Sequence, residues 1–146
     1  MLIGVPSCLG PQLLAGLRAM GHGDEIALVD GNYPAAAHCA RGSRVIRCDG
    51  LALIPLLDAV LSVLPLDEDV EAPILHATIG GDGRSLDPVH REIRQICSAR
   101  AARHKAAGLP GPEFYERVQR TQIIVATSEP RLYANVILRK GVIRPQ

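Results

Sequence analysis

Apolar residues in this chain fall into short blocks that are separated by turn residues. The first block predicts an amphipathic helix over "GPQLLAGLRAM", since its apolar side chains recur at the spacing of one helical face: Leu13, Leu14, Leu17 and Met20. Pro11 is suited to the first turn of this helix and Gly21 to its C-terminal cap.

Three further helices follow from the same reasoning. In "LIPLLDAVLSVLP", Pro55 is suited to open a helix whose apolar face we expect one small domain not to hide fully. In the next, Asp87 as N-cap and Pro88 as first turn begin a polar surface helix that reaches about Ala102. After a Gly/Pro loop in "AAGLPGP", the segment "EFYERV" predicts a fourth, short helix.

The remaining apolar blocks predict strands. "EIALVD", "APILHATI" and "TQIIVAT" are apolar enough to be buried, and "SRVIRCDG" and "YANVILRKGVI" predict shorter strands. Strands that alternate with helices favour a three-layer α/β/α fold, here one domain over residues 1–146 with a mixed, roughly six-stranded sheet. One sequence does not determine the order of the strands.

Composition excludes several classes of function. Sixteen basic and fifteen acidic residues give a net charge of +1 without a basic stripe, which argues against nucleic acid as a partner. No apolar run approaches the roughly 20 residues that span a bilayer. The N-terminus lacks the pattern of a signal peptide, and the four cysteines are far apart. We therefore expect a cytoplasmic protein with reduced thiols.

Candidate chemistry begins in "GHGDEIALVDGNYP". His22 lies between two glycines just after a predicted helix, where a ligand can approach closely and where an imidazole can transfer protons near neutral pH. Asp30 follows a buried strand, and ligands of α/β sheets collect at the carboxyl ends of strands. Alternatively, His22 caps the helix and Asp30 only forms a turn. We expect the two side chains to reach the same rim of the domain.

Two other segments carry polar side chains. In "YAN", an extended backbone would place the Tyr133 phenol and the Asn135 amide on one face, suited to a ligand rich in hydroxyl groups. The alternative is a strand edge with ordinary hydrogen bonds. In "EFYERV", Phe114 and Tyr115 are explained equally well by packing.

No metal or nucleotide site is predicted. The other histidines lack the spacing of metal ligands: His38, His76, His90 and His104. "GGDG" has neither the lysine of a P-loop nor the full dinucleotide pattern.

Five segments, in this order and spacing, resemble the family of L-fucose mutarotase and D-ribose pyranase: "MGHGDEIALVDGNYP", "VIRCDGL", "LDP", "FYERV" and "YANVILRKGV". The likeness covers nearly the whole chain, and "FYERV" favours the L-fucose mutarotase branch. The loop "HKAAGLPGPE" differs from the corresponding loop of typical members, which bears on sugar preference.

The resemblance implies a cofactor-free isomerase that interconverts monosaccharide anomers by acid–base ring opening and closure. By position it implies His22, Asp30 and Tyr115 in the catalytic pocket. It implies Tyr133, Asn135 and Arg47 as sugar contacts. It also implies homo-oligomers, often rings, with pockets near subunit contacts.

Two other functions remain open from the sequence. One is the interconversion of pyranose and furanose forms, as in D-ribose pyranase. The other is a non-catalytic sugar-binding accessory protein of sugar uptake, which would need Asp30, Tyr133 and Asn135 but not His22.

Overall fold

The computed structural model describes residues 2–80 and 84–145. Within these residues the helices are α1 (Pro11–Ala19), α2 (Ala35–His38), α3 (Leu53–Leu61), α4 (Pro88–Arg100) and α5 (Gly111–Val118). The strands are β1 (Glu25–Val29), β2 (Arg44–Cys48), β3 (Ile74–Ala77), β4 (Ala106–Leu109), β5 (Ile123–Thr127) and β6 (Val136–Arg139).

The described strands form one mixed sheet in the order β2-β5-β1-β6-β3-β4. β1 pairs in parallel with β5, β5 with β2, and β3 with β4. β6 runs antiparallel to both of its neighbours, β1 and β3. Five strands therefore point the same way, and the start of β6 lies beside their carboxyl ends.

Helices cover both faces of the sheet, which confirms the predicted three-layer α/β/α fold. On one face, α1, α3 and α4 pack their apolar side chains over alternate strand residues such as Ile26, Leu28 and Ile46. On the other face, α2 and α5 pack over Ala27 and Val29. β1 and β5 are buried along their whole length, as the apolar runs predict.

The sheet has two ends that differ in chemistry. We call the end where β1, β2, β3, β4 and β5 finish and β6 begins the carboxyl edge. We call the opposite end, where β1 begins at Glu25 and β6 finishes at Arg139, the amino edge. A strand of five residues such as β1 separates the two edges by about 17 Å.

Local predictions fail at four places. β4 lies in the segment predicted as a Gly/Pro loop, because its small residues "AAGL" carry no apolar signal while its parallel pairing with β3 fixes it. α2 follows the turn "GNYP" and was not predicted. Pro55 is the third residue of α3 rather than the first. Met20 closes α1 in an extended conformation, and the left-handed glycine is Gly23 rather than Gly21.

The expectation that α3 leaves an apolar face for another subunit is wrong. Its large side chains are buried within the single chain, against α4 and the sheet: Leu53, Leu56, Leu57, Val60 and Leu61. Val63, just after the helix, is 37% exposed. One chain therefore covers this helix by itself.

Candidate active site

The carboxyl edge holds a buried carboxylate in a fixed position. Asp30 directly follows β1, and Asn135 directly precedes the neighbouring strand β6. Nδ2 of Asn135 donates to Oδ2 of Asp30 over 2.9 Å, and the backbone N–H of Asp30 donates to Oδ1 of Asn135 over 2.8 Å. The backbone N–H of Asn32 donates to the other carboxylate oxygen over 2.9 Å. Each oxygen keeps acceptor capacity for a ligand.

The protonation of Asp30 is shifted toward the neutral form. Burial raises the pKa of this carboxyl group, and the negative charge of Glu129 adds to the shift. The hydrogen bonds from Asn32 and Asn135 oppose it. Asp30 therefore holds a proton more readily than a surface aspartate, as suits a group that takes part in proton transfer.

Tyr133 stands beside this pair in a strained conformation. Its φ of 60° is in the left-handed region, so "YAN" is not extended and the predicted alternation of Tyr133 and Asn135 on one face is wrong. The carbonyl of Tyr133 accepts the N–H of Asn135 over 2.8 Å and a ring hydrogen of His90 over 2.9 Å. The Tyr133 side chain is 43% exposed, so its phenol is accessible at the carboxyl edge.

Two buried histidines support this turn. Nδ1 of His90 accepts the backbone N–H of Asp87, so its Nε2 carries the hydrogen donated to Tyr133. His76 stacks on His90 with ring centroids 5.4 Å apart. Arg94 donates to Nε2 of His76, and burial lowers the pKa of His76 to about 4. Both rings are therefore neutral supports whose nitrogens are occupied.

An aromatic cluster forms a further part of the carboxyl edge. It consists of Tyr33, in the turn after Asp30, His38, the last residue of α2, and Tyr115 of α5. Each pair of rings meets edge to face with centroids 5.2–5.4 Å apart. Oη of Tyr33 lies 2.8 Å from Nδ1 of His38. Tyr115, a predicted site residue, is 43% exposed here.

Tyr33 and His38 were not identified from the sequence. The turn chemistry of "GNYP" marked the segment as a loop, and His38 was considered only as a metal ligand. A signal was present, since Tyr33 lies three positions after Asp30 and His38 lies five positions further on, at the end of the short helix α2. Their contact with Tyr115, however, joins residues distant in the sequence.

Glu129 stabilises the carboxyl edge through hydrogen bonds to three segments of the chain. Its carboxylate is buried and is paired with Arg131, whose Nε lies 2.7 Å from Oε1. Oε2 of Glu129 accepts the backbone N–H of Leu53 at the start of α3. The backbone carbonyl of Glu129 accepts the N–H of Gly31. Hydrogen bonding to Arg131 lowers the pKa of Glu129, so this carboxylate is a structural ion rather than a free base.

His22 lies at the amino edge, which contradicts the expectation that it shares a rim with Asp30 in one chain. β1 intervenes between the two residues, because His22 precedes the strand and Asp30 follows it. The carboxylates that face Nε2 of His22 are Asp67, at 3.1 Å, and Asp69, at 3.6 Å. The His22 side chain is 44% exposed.

The amino edge is a network of alternating charges, formed by Arg117, Glu25, Arg139 and Asp67. The His22 imidazole lies at its end, between Asp67 and Asp69. Nε of Arg139 donates to Oδ2 of Asp67 over 2.8 Å and holds the pKa of that carboxyl group at about 2. His22, Asp67 and Asp69 could each turn one ligand atom toward a cation. Arg139 already neutralises Asp67, so we assign no metal to this group.

Arg47 is separated from the other predicted sugar contacts. It lies on the edge strand β2, two strands from β1, which is about 10 Å. Its guanidinium makes two hydrogen bonds to Asp49, at 2.7 and 3.2 Å, on an exposed surface. The structure does not bring it to the Asp30–Asn135 pair.

The chain is similar to known proteins over its full length. The model of the RbsD / FucU transport protein family matches residues 3–143. A fucose mutarotase of Bos taurus is 44% identical, with 100% of this chain and 97% of that protein covered. A fucose mutarotase of Homo sapiens is 45% identical, with 97% and 94% covered.

A solved structure agrees with these relatives. The fucose mutarotase of Streptococcus pneumoniae, in complex with L-fucose, is 38% identical and superimposes with a TM-score of 0.86, covering 98% of this chain and 100% of that one. The resemblance inferred from the five sequence segments is thereby confirmed, and the chain belongs to the RbsD / FucU transport protein family.

Proposed function

We propose that this protein is a cofactor-independent mutarotase that interconverts the α and β anomers of L-fucose or a related monosaccharide. The observation that carries the proposal is the buried Asp30 carboxylate, which Asn135 fixes beside the exposed phenols of Tyr115 and Tyr133. Fixed acceptors and donors next to aromatic rings suit a ligand that presents hydroxyl groups. The full-length likeness to fucose mutarotases supports this reaction and L-fucose as the first sugar to test.

The reaction is general acid–base catalysis of ring opening. A base removes the proton of the anomeric hydroxyl, and the electrons of that O–H bond form the carbonyl. The bond from the anomeric carbon to the ring oxygen breaks, and the ring oxygen keeps the electron pair and takes a proton from an acid. Rotation about the neighbouring carbon–carbon bond and the reverse steps give the other anomer.

We assign binding roles to the carboxyl edge and a proton-transfer role to His22. Asp30, Asn135 and Tyr133 hold sugar hydroxyl groups, and Tyr115 either binds a hydroxyl or relays a proton. Since β1 separates His22 from Asp30 in one chain, His22 of a second copy completes the site. Asp67, rather than Asp30, orients this imidazole.

Assembly and location follow from the same proposal. A site that needs two copies requires a homo-oligomer, and exposed apolar side chains beside the candidate site, such as Leu132 at 59%, are available for its interface. In the described part of the chain, no helix is long and apolar enough to cross a membrane. All four cysteines lie within the described residues as free thiols, which supports our proposal of a cytoplasmic location.

Saturation-transfer NMR on equilibrium mixtures of sugars tests the function. We expect protein at micromolar concentration to accelerate exchange between the anomers of L-fucose. Acceleration of pyranose–furanose exchange of D-ribose alone would instead indicate a ribose pyranase. Binding of L-fucose in a calorimeter without faster exchange would indicate an accessory protein. Unchanged exchange for fucose, ribose, galactose and glucose would contradict the proposal.

A further inference from the structure

The proposed mechanism leaves one histidine of the carboxyl edge without a role. His38 is half-buried in the aromatic cluster, 2.8 Å from the Tyr33 phenol and with its ring centroid 5.2 Å from that of Tyr115. The histidines His76 and His90 at the same edge have both ring nitrogens occupied by hydrogen bonds. Among the described residues, His38 has a hydrogen-bond partner at Nδ1 and none at Nε2, so Nε2 is the ring nitrogen open to a ligand.

We infer that His38 is a second proton-transfer residue of the sugar site and that Tyr33 is the positioning residue that orients it. The inference rests on the proposed function and extends it. The site would then contain one imidazole from each of two chains, His38 beside Asp30 and His22 from the second copy.

The position of His38 relative to Asp30 follows from short connections. Tyr33 is three residues after Asp30, and its backbone N–H is hydrogen-bonded to the Asp30 carbonyl over 3.2 Å. The negative charge of Asp30 also contributes to the raised pKa of the Tyr33 phenol. Tyr115 contacts both rings of the pair from α5. A sugar held by Asp30 and Tyr115 therefore lies next to His38.

The Tyr33 phenol suits a histidine that changes its protonation. A tyrosine hydroxyl can accept or donate a hydrogen bond, and burial raises the pKa of this phenol, so it stays neutral. If Nδ1–H of His38 donates to Oη of Tyr33, that bond is kept whether Nε2 is protonated or not. Nε2 can then gain and lose a proton without rearrangement of the cluster.

The step can be written with a complete balance. Nε2 of neutral His38 takes the proton of the anomeric hydroxyl, and the electrons of the O–H bond form the carbonyl. The electron pair of the breaking ring bond goes to the ring oxygen, which takes the proton of the His22 imidazolium from the second copy. Ring closure reverses both transfers and returns each imidazole to its starting state.

The first test is His38→Ala with and without added imidazole. Alanine extends the alanine run of α2 and is a good helix former, so we expect the fold to survive. Anomer exchange of L-fucose should slow by about 10²-fold, the usual worth of a positioned acid or base. Added imidazole should restore part of the rate, because a small base can enter the space left by the ring.

The matched control is His104→Ala, the same substitution at a histidine that lines a different hollow, with Asp67 and Glu71. This variant should exchange L-fucose anomers at the parent rate and should not respond to imidazole. Tyr33→Phe keeps the ring and removes one hydrogen bond, so we expect a loss of about 10-fold or less.

The tautomer of His38 is a second measurement on the unmodified protein. Nitrogen NMR of the imidazole should show Nδ1 protonated and Nε2 unprotonated at neutral pH, and Tyr33→Phe should shift the Nδ1 signal. Protonation at Nε2 instead would overturn the assignment of His38 as the base.

The outcomes separate the inference from the proposed function. If the parent protein does not accelerate exchange, the proposed function fails, and the inference fails with it. If the parent is active and His38→Ala keeps the parent rate, the inference alone is wrong. If His38→Ala is slow and imidazole restores nothing, His38 only supports the cluster, and the inference is wrong as well.

Discussion

The two edges of the sheet use polar residues in opposite ways. At the amino edge, full charges alternate from Arg117 through Glu25 and Arg139 to Asp67, and the exposed His22 imidazole adjoins Asp67 and Asp69. At the carboxyl edge, the buried carboxylate of Asp30 meets neutral donors, the side-chain amide of Asn135 and the backbone N–H of Asn32. The first arrangement holds the His22 imidazole on a charged surface. The second holds a carboxylate among neutral hydrogen-bonding groups, as our proposal of a sugar site requires.

This difference explains why neither edge alone forms the proposed site. The carboxyl edge has hydrogen-bonding groups for a sugar, but His22 lies a strand length away. The amino edge has an exposed imidazole oriented by Asp67, but its other charges are already paired with one another. The charged surface of the amino edge suits contact with another copy of the chain.

The largest expected effect is at the amino edge. His22→Ala should lower the rate of L-fucose anomer exchange by about 10²-fold or more, because it removes a positioned acid–base group. The fold should survive, since the side chain is 44% exposed. NMR exchange rates and thermal unfolding of the variant check both statements, with His104→Ala as control. An unchanged rate would leave His22 as a surface partner of Asp67 and nothing more.

The carboxyl edge should instead be sensitive to acid. The folded protein keeps His76 neutral with a pKa of about 4, whereas the unfolded chain protonates it near 6.5. The contribution of neutral His76 to the free energy of unfolding is complete above pH 6.5 and is lost as the pH falls toward 4. Stability should therefore decrease by about 3 kcal/mol over this window from His76 alone.

Denaturant unfolding at several pH values measures this contribution. His76→Gln keeps an acceptor for Arg94 and cannot titrate, so its free energy of unfolding should depend less on pH between 6.5 and 4. An equal slope in parent and variant would show that His76 is not held neutral.

A third prediction concerns the hydrogen-bonded pair Asp30 and Asn135 at the carboxyl edge, whose side chains can be exchanged by mutation. Asp30→Asn removes the charge that holds a sugar hydroxyl and should slow exchange by between about 10- and 100-fold. The double variant Asp30→Asn with Asn135→Asp keeps one amide and one carboxylate in contact but moves the charge to the residue just before β6. We expect the double variant to regain the stability of the parent without its rate. If the double variant regained both the stability and the exchange rate of the parent, catalysis would require one carboxylate in the pair at either position.

The smallest expected effect separates binding from proton relay. Tyr115→Phe keeps the ring contacts with Tyr33 and His38 and removes only the hydroxyl. If the phenol binds sugar, exchange should slow by less than about 10-fold, mostly through weaker binding. Measurement of the rate at several L-fucose concentrations resolves this. A loss as large as that of His22→Ala would make Tyr115 a proton relay.

The sequence predicted the elements of this fold better than their arrangement. Helices α1 and α3 have apolar side chains at helical spacing, and the strands β1 and β5 are continuous apolar runs, so these elements were predictable from the chain alone. The start of α4 was predictable from Asp87 and Pro88. Strand β4 was not, since small residues hold it in place only through pairing with β3. The position of β6 between β1 and β3 depends on long-range pairing that no local pattern encodes.

In the candidate site, too, the residue types were easier to predict than their contacts. The residue types of Asp30 and Asn135 were predictable, but their contact joins residues 105 positions apart. Tyr133 was predicted on an extended strand, and its left-handed backbone depends on the buried His90. The separation of His22 from Asp30 follows simply from the strand between them, yet sequence proximity suggested a common rim.

Mixing of two slow variants, His22→Ala and Asp30→Asn, tests most directly whether the two edges meet between chains. His22→Ala retains Asp30, and Asp30→Asn retains His22, so a site shared by two copies can combine the native halves. After the two proteins are unfolded together and refolded as a mixture, random assembly should restore about a quarter of the parent rate of L-fucose exchange. A mixture no faster than the two variants measured separately, in oligomers shown by mass to contain both chains, would contradict the account.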